Sequence, residues 1–311
     1  MLSSVPGFSV GHYTDSSRLT GCTVVLCPQK TRASCEVRGA SPGSRELALL
    51  APDKRMDEIH ALVFTGGSAF GLGAADGVMK WLKEHDRGYQ TPWGKVPIVP
   101  AAVVFDLNLG SNSAWPDAQA GYQACQDAGQ AGVQEGNIGA GTGATVGKWK
   151  GMEFCMKGGL GMASKRRDGL IVAALAVVNA VGDIIDERGK ILAGARDTHG
   201  KFFGEEDPYR SFAHGKVLEN TNTTLVVVAT NADLSKVELH RLAQRMHDGM
   251  ARAIVPSHTS YDGDATFALS HGEVKAEFDL VAEVAAAVTA ESIRRAVKAA
   301  MSVGGVPGLA G

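Results

Sequence analysis

The chain has 311 residues, of which 44% are hydrophobic and 21% charged, so it contains enough apolar material to bury a large core. Its formal net charge of −2 gives no reason to expect nucleic acid or a membrane surface as a partner. Five cysteines without a C-x-x-C pair or a zinc spacing indicate reduced thiols in a cytoplasmic protein, and we expect no metal and no cofactor.

Targeting and membrane signals are weak throughout the chain. The start, Met1 to Gly7, lacks a basic region followed by a long apolar stretch, so we expect no signal peptide. The longest apolar run, Leu170 to Val178, is far shorter than the ~20 residues that span a bilayer.

The first elements are a strand over Cys22–Cys27, ended by Pro28, and a strand over Ala61–Thr65. The second strand runs into a glycine-rich turn and a helix predicted over Leu72–His85. A strand, turn and helix in this order can bind anions or hold a nucleophile.

Ser68 lies in that turn, but it does not fit the G-x-S-x-G pattern of a nucleophile, since Gly71 stands one residue too late. Packing or substrate contact is the favoured role for Ser68, and the adjacent Gly67 is a candidate for the same substrate contact.

A second strand region is predicted over Ile98–Leu107, followed by a helix over Asp117–Ala128. The five glycines of Gly136–Gly147 resemble a phosphate loop. The required pattern fails because Thr142 replaces a glycine and Lys148 is not followed by Ser or Thr. We therefore expect a flexible connection that lines a cleft.

Leu170–Val178 is predicted to be a strand that ends at Asn179, and the polar, glycine-rich segment Gly189–Phe212 a long exposed loop. The stretch Glu219–Asn231 then places hydroxyls and carboxamides before an apolar β-branched run, which predicts a buried strand. Thr223 stands where the loop enters this strand, a position suited to presenting a reactive hydroxyl. A polar loop rich in turn formers is the alternative.

The remaining elements are a helix over Ser235–Ile254 and a final helix from about Leu280 to Met301. Ser235 with Glu238 three residues later forms the sequence pattern of a capping box. Between the helices, Asp262-Gly263-Asp264 forms a turn that leads into a strand at Ala265–Leu269. Strands and helices interleave without regular βαβ spacing, which favours a layered sandwich over a doubly wound sheet.

Several motifs together resemble the self-cleaving aminopeptidases of the DmpA and β-peptidyl aminopeptidase type, a family that includes the nylon-oligomer (6-aminohexanoate-oligomer) hydrolases. The resemblance runs from about residue 5 to residue 305. It implies an α/β (α+β) fold with a four-layer αββα sandwich, similar to that of the N-terminal-nucleophile hydrolases. The motifs are Thr65-Gly-Gly-Ser-Ala-Phe-Gly-Leu72, Lys157-Gly-Gly-Leu-Gly161, Val177-Val-Asn-Ala-Val-Gly182, Asn222-Thr-Thr-Leu-Val-Val-Val-Ala-Thr-Asn231 and His247-Asp-Gly-Met-Ala-Arg-Ala-Ile254.

The resemblance further implies one domain, residues 1–311, that cuts itself between Asn222 and Thr223 into residues 1–222 and 223–311. Thr223 becomes the new N-terminus and the nucleophile. Asn179 matches a side-chain donor to the oxyanion, and Lys157 matches a lysine in the site of the nylon-hydrolase branch. Phe105 stands where relatives have an active-site tyrosine, so a hydroxyl is missing at this substrate-binding position.

The same resemblance matches Asp262 and Asp264 to the acidic pair of the nylon-hydrolase branch. Two residues apart on extended backbone, their side chains point to the same face, where they can hold an ammonium or a hydroxyl. The alternative for the pair is a simple turn, since the pattern of a calcium loop fails. The alternatives for Lys157 and Asn179 are a solvated surface lysine and a strand-end cap.

The leading hypothesis is an amidohydrolase that forms an acyl-Thr223 intermediate with small peptides, β-peptides or ω-amino-acid oligomers. Cleavage before Thr223 frees an α-amine with an ordinary pKa of about 7.7–8.0, which suits a general base. The alternatives are an acyltransferase of the self-cleaving ornithine acetyltransferase type and a non-catalytic ligand-binding relative. We expect a homo-oligomer of processed units, a tetramer or larger.

Overall fold

The computed structural model describes residues 1–129, 134–212 and 221–311. The first two residues of the Glu219–Asn231 stretch lie outside these ranges. The strands are β1 (Ser9–Asp15), β2 (Thr20–Val37), β3 (Ser44–Arg45), β4 (Glu58–Thr65), β5 (Tyr89–Thr91), β6 (Gly94–Val96), β7 (Ala101–Val103), β8 (Thr145–Val146), β9 (Met156–Lys157), β10 (Gly159–Arg167), β11 (Leu170–Asn179), β12 (Asp183–Ile185), β13 (Ile191–Ala193), β14 (Thr223–Ala232), β15 (Ile254–Val255) and β16 (Ala265–Val274). The α-helices are α1 (Ala74–Glu84), α2 (Ala118–Asp127), α3 (Phe203–Glu206), α4 (Lys236–Ala251) and α5 (Phe278–Lys298).

The long strand β2 joins two halves of the main sheet. Its first half pairs with β1 and β4, and its second half pairs with β16. Within the described ranges the strand order is β10-β11-β14-β16-β2-β4-β7-β3. The prediction that Pro28 ends the first strand is wrong, because β2 continues through it. Pro28 lies where the pairing with β4 is irregular, between Leu26 and Thr31, so its missing N–H breaks no regular ladder there.

Side chains of successive strand residues face two different cores. In β11, Val172, Ala174, Ala176 and Val178 pack with residues of α4 and α5. The intervening Ala173, Leu175 and Val177 instead pack with residues of β4 and the first half of β2. This alternation of period two shows that β11 is buried on both faces.

The third core lies on the other side of β2 and β4. Val24 and Val63 from these strands pack there against residues of α1 and α2. Four layers therefore follow one another. They are α1 with α2, the half of the sheet that contains β4 and the first half of β2, the half that contains β11 and β14, and α4 with α5. This confirms the predicted four-layer αββα sandwich.

The predicted helices are present with shifted ends. A 3₁₀ turn over Ser68–Gly73 precedes α1, so this helix begins at Ala74, two residues later than predicted. Asp117 caps α2 through its side chain, which accepts from the Ala120 N–H. The capping box of Ser235 and Glu238 is confirmed at the start of α4. Among the described residues, none of the helices is long and apolar enough to cross a membrane.

The segment Gly189–Phe212 is not the exposed loop that its polarity predicts, since it contains β13 and α3. Arg210 from this segment is 7% exposed, and its Nε lies 3.0 Å from Oδ2 of the buried Asp183. The Trp149 indole and the Ala195 N–H donate to the other oxygen of Asp183. Pairing makes burial of these charges possible, and a single sequence does not reveal the partners.

Two further predictions need correction. Only Ala101–Val103 of the predicted Ile98–Leu107 strand is a strand. The glycine-rich connection is closely packed rather than flexible: a Cβ added to Gly143 would lie 2.5 Å from Cβ of Asp106. Glycine is required there because the backbone approaches its neighbour closely.

Candidate active site

Thr223 is the first residue of β14 and lies opposite Asn179, the last residue of β11. The two strands pair antiparallel, and this pairing places Asn179 next to Thr223. In the uncut chain the Thr223 hydroxyl donates to the carbonyl oxygen of Asn222 at 2.5 Å. The hydroxyl is therefore adjacent to the peptide bond at which self-cleavage is predicted.

A second donor reaches the same carbonyl. The Gly263 N–H lies 2.8 Å from the Asn222 oxygen, a normal hydrogen-bond distance. A Cβ added to Gly263 would lie 2.8 Å from Oγ1 of Thr223, so this position tolerates no side chain without movement. The Asn222 carbonyl is thus held between a backbone N–H and a hydroxyl. The sequence predicts only a turn at Gly263 and gives no sign of this contact.

A cavity of about 360 Å³ opens beside Thr223. The predicted substrate contacts Phe105 and Ser68 line this cavity, whereas Gly67 does not line it. The other lining residues are Ser41, Pro42, Gly43, Ala69 and Val103. None of the lining residues carries a charged side chain.

Gly67 is held by a buried carboxylate, and Ser68 by a backbone carbonyl. The Gly67 N–H donates to Oδ1 of Asp106 at 2.7 Å. Burial raises the pKa of Asp106 to about 6. Ser68 has a positive φ of 52° and donates its N–H to the Val104 carbonyl. The structure therefore fixes the turn next to the cavity, and leaves the Ser68 hydroxyl as a candidate for substrate contact.

Asn179 is fully buried, and its carboxamide makes contacts on both sides. Its NH₂ donates to the carbonyls of Phe105 at 3.1 Å and Thr221 at 3.2 Å. Its Oδ1 accepts from the Thr145 N–H at 3.0 Å and from the Lys148 ammonium at 2.9 Å. One of the two NH₂ partners, Thr221, belongs to the segment just before the predicted cut.

Lys148 is a site residue that the failed phosphate-loop pattern does not reveal. Its Nζ contacts both the side-chain and the backbone oxygen of Asn179, at 2.9 and 3.0 Å. Burial lowers the pKa of Lys148 to about 7, against a smaller opposing effect of nearby anionic groups. The glycine-rich sequence before it was the available signal, since close backbone packing there buries the lysine.

Lys157 is also fully buried, which excludes the alternative of a solvated surface lysine. Its Nζ donates to the carbonyls of Thr142 at 3.0 Å and Ala144 at 2.5 Å. Burial lowers its pKa to about 7 as well. In the described ranges no hydrogen bond joins the Lys157 side chain to Asn179 or Thr223. Its catalytic role stays a prediction.

The two predicted aspartates flank Gly263 and are both 1% exposed. Oδ1 of Asp264 accepts from the Thr224 N–H at 2.7 Å, so this carboxylate contacts the residue after the nucleophile. Oδ2 of Asp262 accepts from the Thr259 hydroxyl at 2.6 Å, and its Oδ1 from the Val181 N–H at 3.2 Å. Burial, together with the charge of Asp264, raises the pKa of Asp262.

The structure thus brings Thr223, Asn179, Asp262, Asp264 and Phe105 together at one end of the main sheet. Within the described part of the chain, no group of three or more His, Cys, Asp or Glu side chains is arranged to hold a metal ion.

A model of peptidase family S58 matches residues 1–310 of this chain. The chain is 42% identical over 337 residues to an uncharacterized aminopeptidase of Mycobacterium leprae (strain TN), covering 98% of this chain and 92% of that relative. It is 32% identical over 284 residues to a 6-aminohexanoate-oligomer endohydrolase of Agromyces sp. (strain KY5R), covering 86% of this chain and 74% of that relative.

Two solved structures share the fold. A β-aminopeptidase from a Burkholderia species superposes with a TM-score of 0.73 at 21% identity, covering 99% of this chain and 90% of that one. An L-aminopeptidase D-Ala-esterase/amidase from Ochrobactrum anthropi, which has a variant of the Ntn hydrolase fold, superposes with a TM-score of 0.75 at 20% identity. The superposition covers 98% of this chain and 88% of that one. These comparisons confirm the resemblance and the fold that the sequence predicts.

Proposed function

The chain belongs to peptidase family S58 and is a hydrolase of amide or peptide bonds, and on that premise we propose that it is an autoprocessed enzyme with an N-terminal threonine. Thr223 is the nucleophile, both for cutting the chain before itself and for turnover. The observation that carries this proposal is the Thr223 hydroxyl, 2.5 Å from the carbonyl oxygen of Asn222.

Self-cleavage would begin with attack of Oγ1 of Thr223 on the carbonyl carbon of Asn222. The new C–O bond forms an ester, the C–N bond breaks, and the freed nitrogen of Thr223 takes the hydroxyl proton. The Gly263 N–H, at 2.8 Å from the carbonyl oxygen, would stabilise the negative charge that develops there. Water then hydrolyses the ester and leaves a carboxylate on Asn222 and a free Thr223.

Turnover would repeat this chemistry on a bound amide. The free α-amine of Thr223 takes the proton from its own hydroxyl, which attacks the substrate carbonyl and forms an acyl-enzyme. The proton passes to the leaving amine, and water later releases the acid. Asp264 supports the strand at the nucleophile, because it holds the Thr224 N–H at 2.7 Å.

Asn179 is the proposed side-chain donor to the oxyanion. In the uncut chain its NH₂ is engaged by the Phe105 and Thr221 carbonyls. Movement of the cut segment would remove Thr221 and free one N–H for the substrate oxygen. We assign Lys148 to the support of Asn179, since its ammonium binds both oxygens of that residue.

The proposed substrates are small peptides, β-peptides or ω-amino-acid oligomers. This range follows the names of the relatives, an aminopeptidase and a 6-aminohexanoate-oligomer endohydrolase. A cavity of about 360 Å³ next to Thr223 is large enough for one small acyl group. A homo-oligomer of processed units and a cytoplasmic location stay predictions.

Intact-mass analysis combined with a small amide panel tests the proposal. Wild-type protein should consist of residues 1–222 and 223–311, and it should hydrolyse at least one amide. Thr223→Ala should remain one chain and be inactive. Thr224→Val is the matched control, because the neighbouring Thr224 hydroxyl is buried without a hydrogen-bond partner, so this variant should cut itself and turn over normally.

An uncut wild-type chain that hydrolyses amides would contradict the mechanism. Adding an amine acceptor to the assay tests the acyltransferase alternative. Transfer of the acyl group to that amine in preference to water would identify an acyltransferase.

A further inference from the structure

His258 binds the carboxylate oxygen of Asp264 that does not accept from the Thr224 N–H. Nδ1 of His258 lies 2.8 Å from Oδ2 of Asp264, and the backbone N–H of the same histidine donates to that oxygen at 3.2 Å. One residue thus supplies two donors to one carboxylate oxygen. The other oxygen, Oδ1, is left to accept the Thr224 N–H.

The backbone of His258 is bent to make this double contact. Its φ is +55°, a left-handed conformation that is uncommon for residues other than glycine, although Asn, Asp and His adopt it more often than the rest. Backbone strain of this kind persists where the surrounding structure maintains it, and it is concentrated at functional sites. The bend brings the ring and the N–H of His258 back onto Asp264, six residues later in the chain.

The ring of His258 also has a fixed neighbour. It meets the ring of His247 from α4 edge to face, with the ring centroids 4.6 Å apart. His247 is itself held by the Thr266 hydroxyl and the Glu36 carbonyl, at 3.2 and 3.3 Å from its Nε2. Burial lowers the pKa of His247 to about 3, so this neighbour is neutral. The orientation of the His258 ring is therefore determined from two sides.

We propose that His258 is a positioning residue for both self-cleavage and turnover: it fixes the carboxylate of Asp264 so that this carboxylate holds the start of β14, and with it the Thr223 hydroxyl, at the carbonyl under attack. The inference rests on the proposed function, since it concerns the same nucleophile. His258 itself contacts no reacting atom.

Three substitutions of His258 distinguish the effect of its hydrogen-bond donor from the effect of the size of its ring. Asn places its side-chain nitrogen near the position of Nδ1 and accepts the left-handed backbone, so His258→Asn should keep kcat and the rate of self-cleavage within about three-fold of wild type. His258→Gln places its nitrogen near the position of Nε2, and His258→Leu has no donor. Both should lower kcat and self-cleavage by roughly 10- to 100-fold with little change in KM, since small misplacements near the chemistry have effects of this size.

The control is His240→Leu. The His240 side chain is about as exposed as that of His258, at 25% against 18%, and its ring contacts a backbone carbonyl, that of Cys35. It should cut and turn over like wild type. Where His258→Leu folds poorly, the comparison of Asn with Gln decides, because both are amides that differ in donor position.

Equal activity in all three His258 variants, or equal loss in all three, would overturn the inference. A wild-type chain that neither cuts itself nor hydrolyses amides would overturn the proposed function instead. Self-cleavage is measured without added substrate, so an unsuitable amide panel does not affect the test of His258.

Discussion

At the scale of single residues, the two buried lysines have similarly lowered pKa values but different hydrogen-bond partners. Lys148 binds Asn179, whereas Lys157 binds the carbonyls of Thr142 and Ala144. Burial lowers the pKa of each from its ordinary value of 10.5 to about 7. The shared pKa shift predicts a common effect on stability, and the different contacts predict different effects on activity.

The stability prediction concerns the pH range from about 7 to 9.5. A lysine whose pKa is lower in the folded than in the unfolded state binds fewer protons when folded, so the free energy of unfolding rises with pH in this range, by up to about 1.4 kcal/mol per pH unit. In the uncut Thr223→Ala chain, adding Lys148→Met or Lys157→Met should reduce this rise. Urea unfolding at about pH 7 and about pH 9.5 measures this rise in the free energy of unfolding. An unchanged rise in both variants would show that neither lysine has a lowered pKa.

The same substitutions in the wild-type chain should differ in activity. Lys148→Met removes the amine that binds the Asn179 carboxamide, so kcat should fall by about 10²-fold, the size of effect expected when an oxyanion donor is misplaced. Self-cleavage should fall less, because the Gly263 N–H is the proposed oxyanion donor for that step. Lys157→Met should have a smaller effect on both rates. The opposite order would restore Lys157 as the catalytic lysine that the family resemblance implies.

At the scale of elements, the packing of α4 against α5 depends on Gly249. A Cβ added there would lie 2.3 Å from the carbonyl oxygen of Ala286. Glycine inside a helix lowers stability by about 1 kcal/mol relative to alanine when nothing else intervenes. Glycine occurs here despite this loss of stability because a side chain would prevent the close approach of α4 and α5, which together cover β11 and β14.

Gly249→Ala should therefore lower the free energy of unfolding of the Thr223→Ala chain by about 1–3 kcal/mol, the usual effect of overpacking. The control is Gly73→Ala at the start of α1, where nothing lies within 4 Å of an added Cβ and φ is −60°. That substitution should be neutral or stabilise by up to about 1 kcal/mol. Equal effects of the two substitutions in urea unfolding would contradict the packing argument.

At the scale of the whole molecule, the proposed cut does not divide the fold into separable parts. β14 begins at the cut and lies between β11, from residues 1–222, and β16, from residues 223–311. β16 in turn pairs with β2 of the first fragment. β14 and β16 of residues 223–311 are thus in the interior of the main sheet.

The two fragments should consequently stay together after cleavage. Size-exclusion chromatography in native buffer should give one peak, at the elution volume of the uncut Thr223→Ala chain, while denaturing electrophoresis of that peak gives two bands for wild type and one for the variant. Separate elution of the fragments without denaturant would mean that the sheet does not survive the cut.

Local patterns in the sequence determined much of this description. The apolar runs Leu225–Val228 and Leu170–Val178 and the capping box at Ser235 are properties of neighbouring residues, so strand, burial and helix start could be predicted from them. The order of motifs along the chain also predicted the family and the four-layer fold. Thr223 was identified by the place where polar residues meet an apolar strand.

Only the tertiary structure decided which charged and backbone groups surround that threonine. Lys148 lies far from Asn179 in the sequence, Gly263 far from Asn222, and Asp264 far from Thr224, so no local pattern records these contacts. The same holds for Arg210, whose burial depends on Asp183 in another element. A buried polar group is stable only with its partner, and the pairing of distant strands and loops determines which partner it meets.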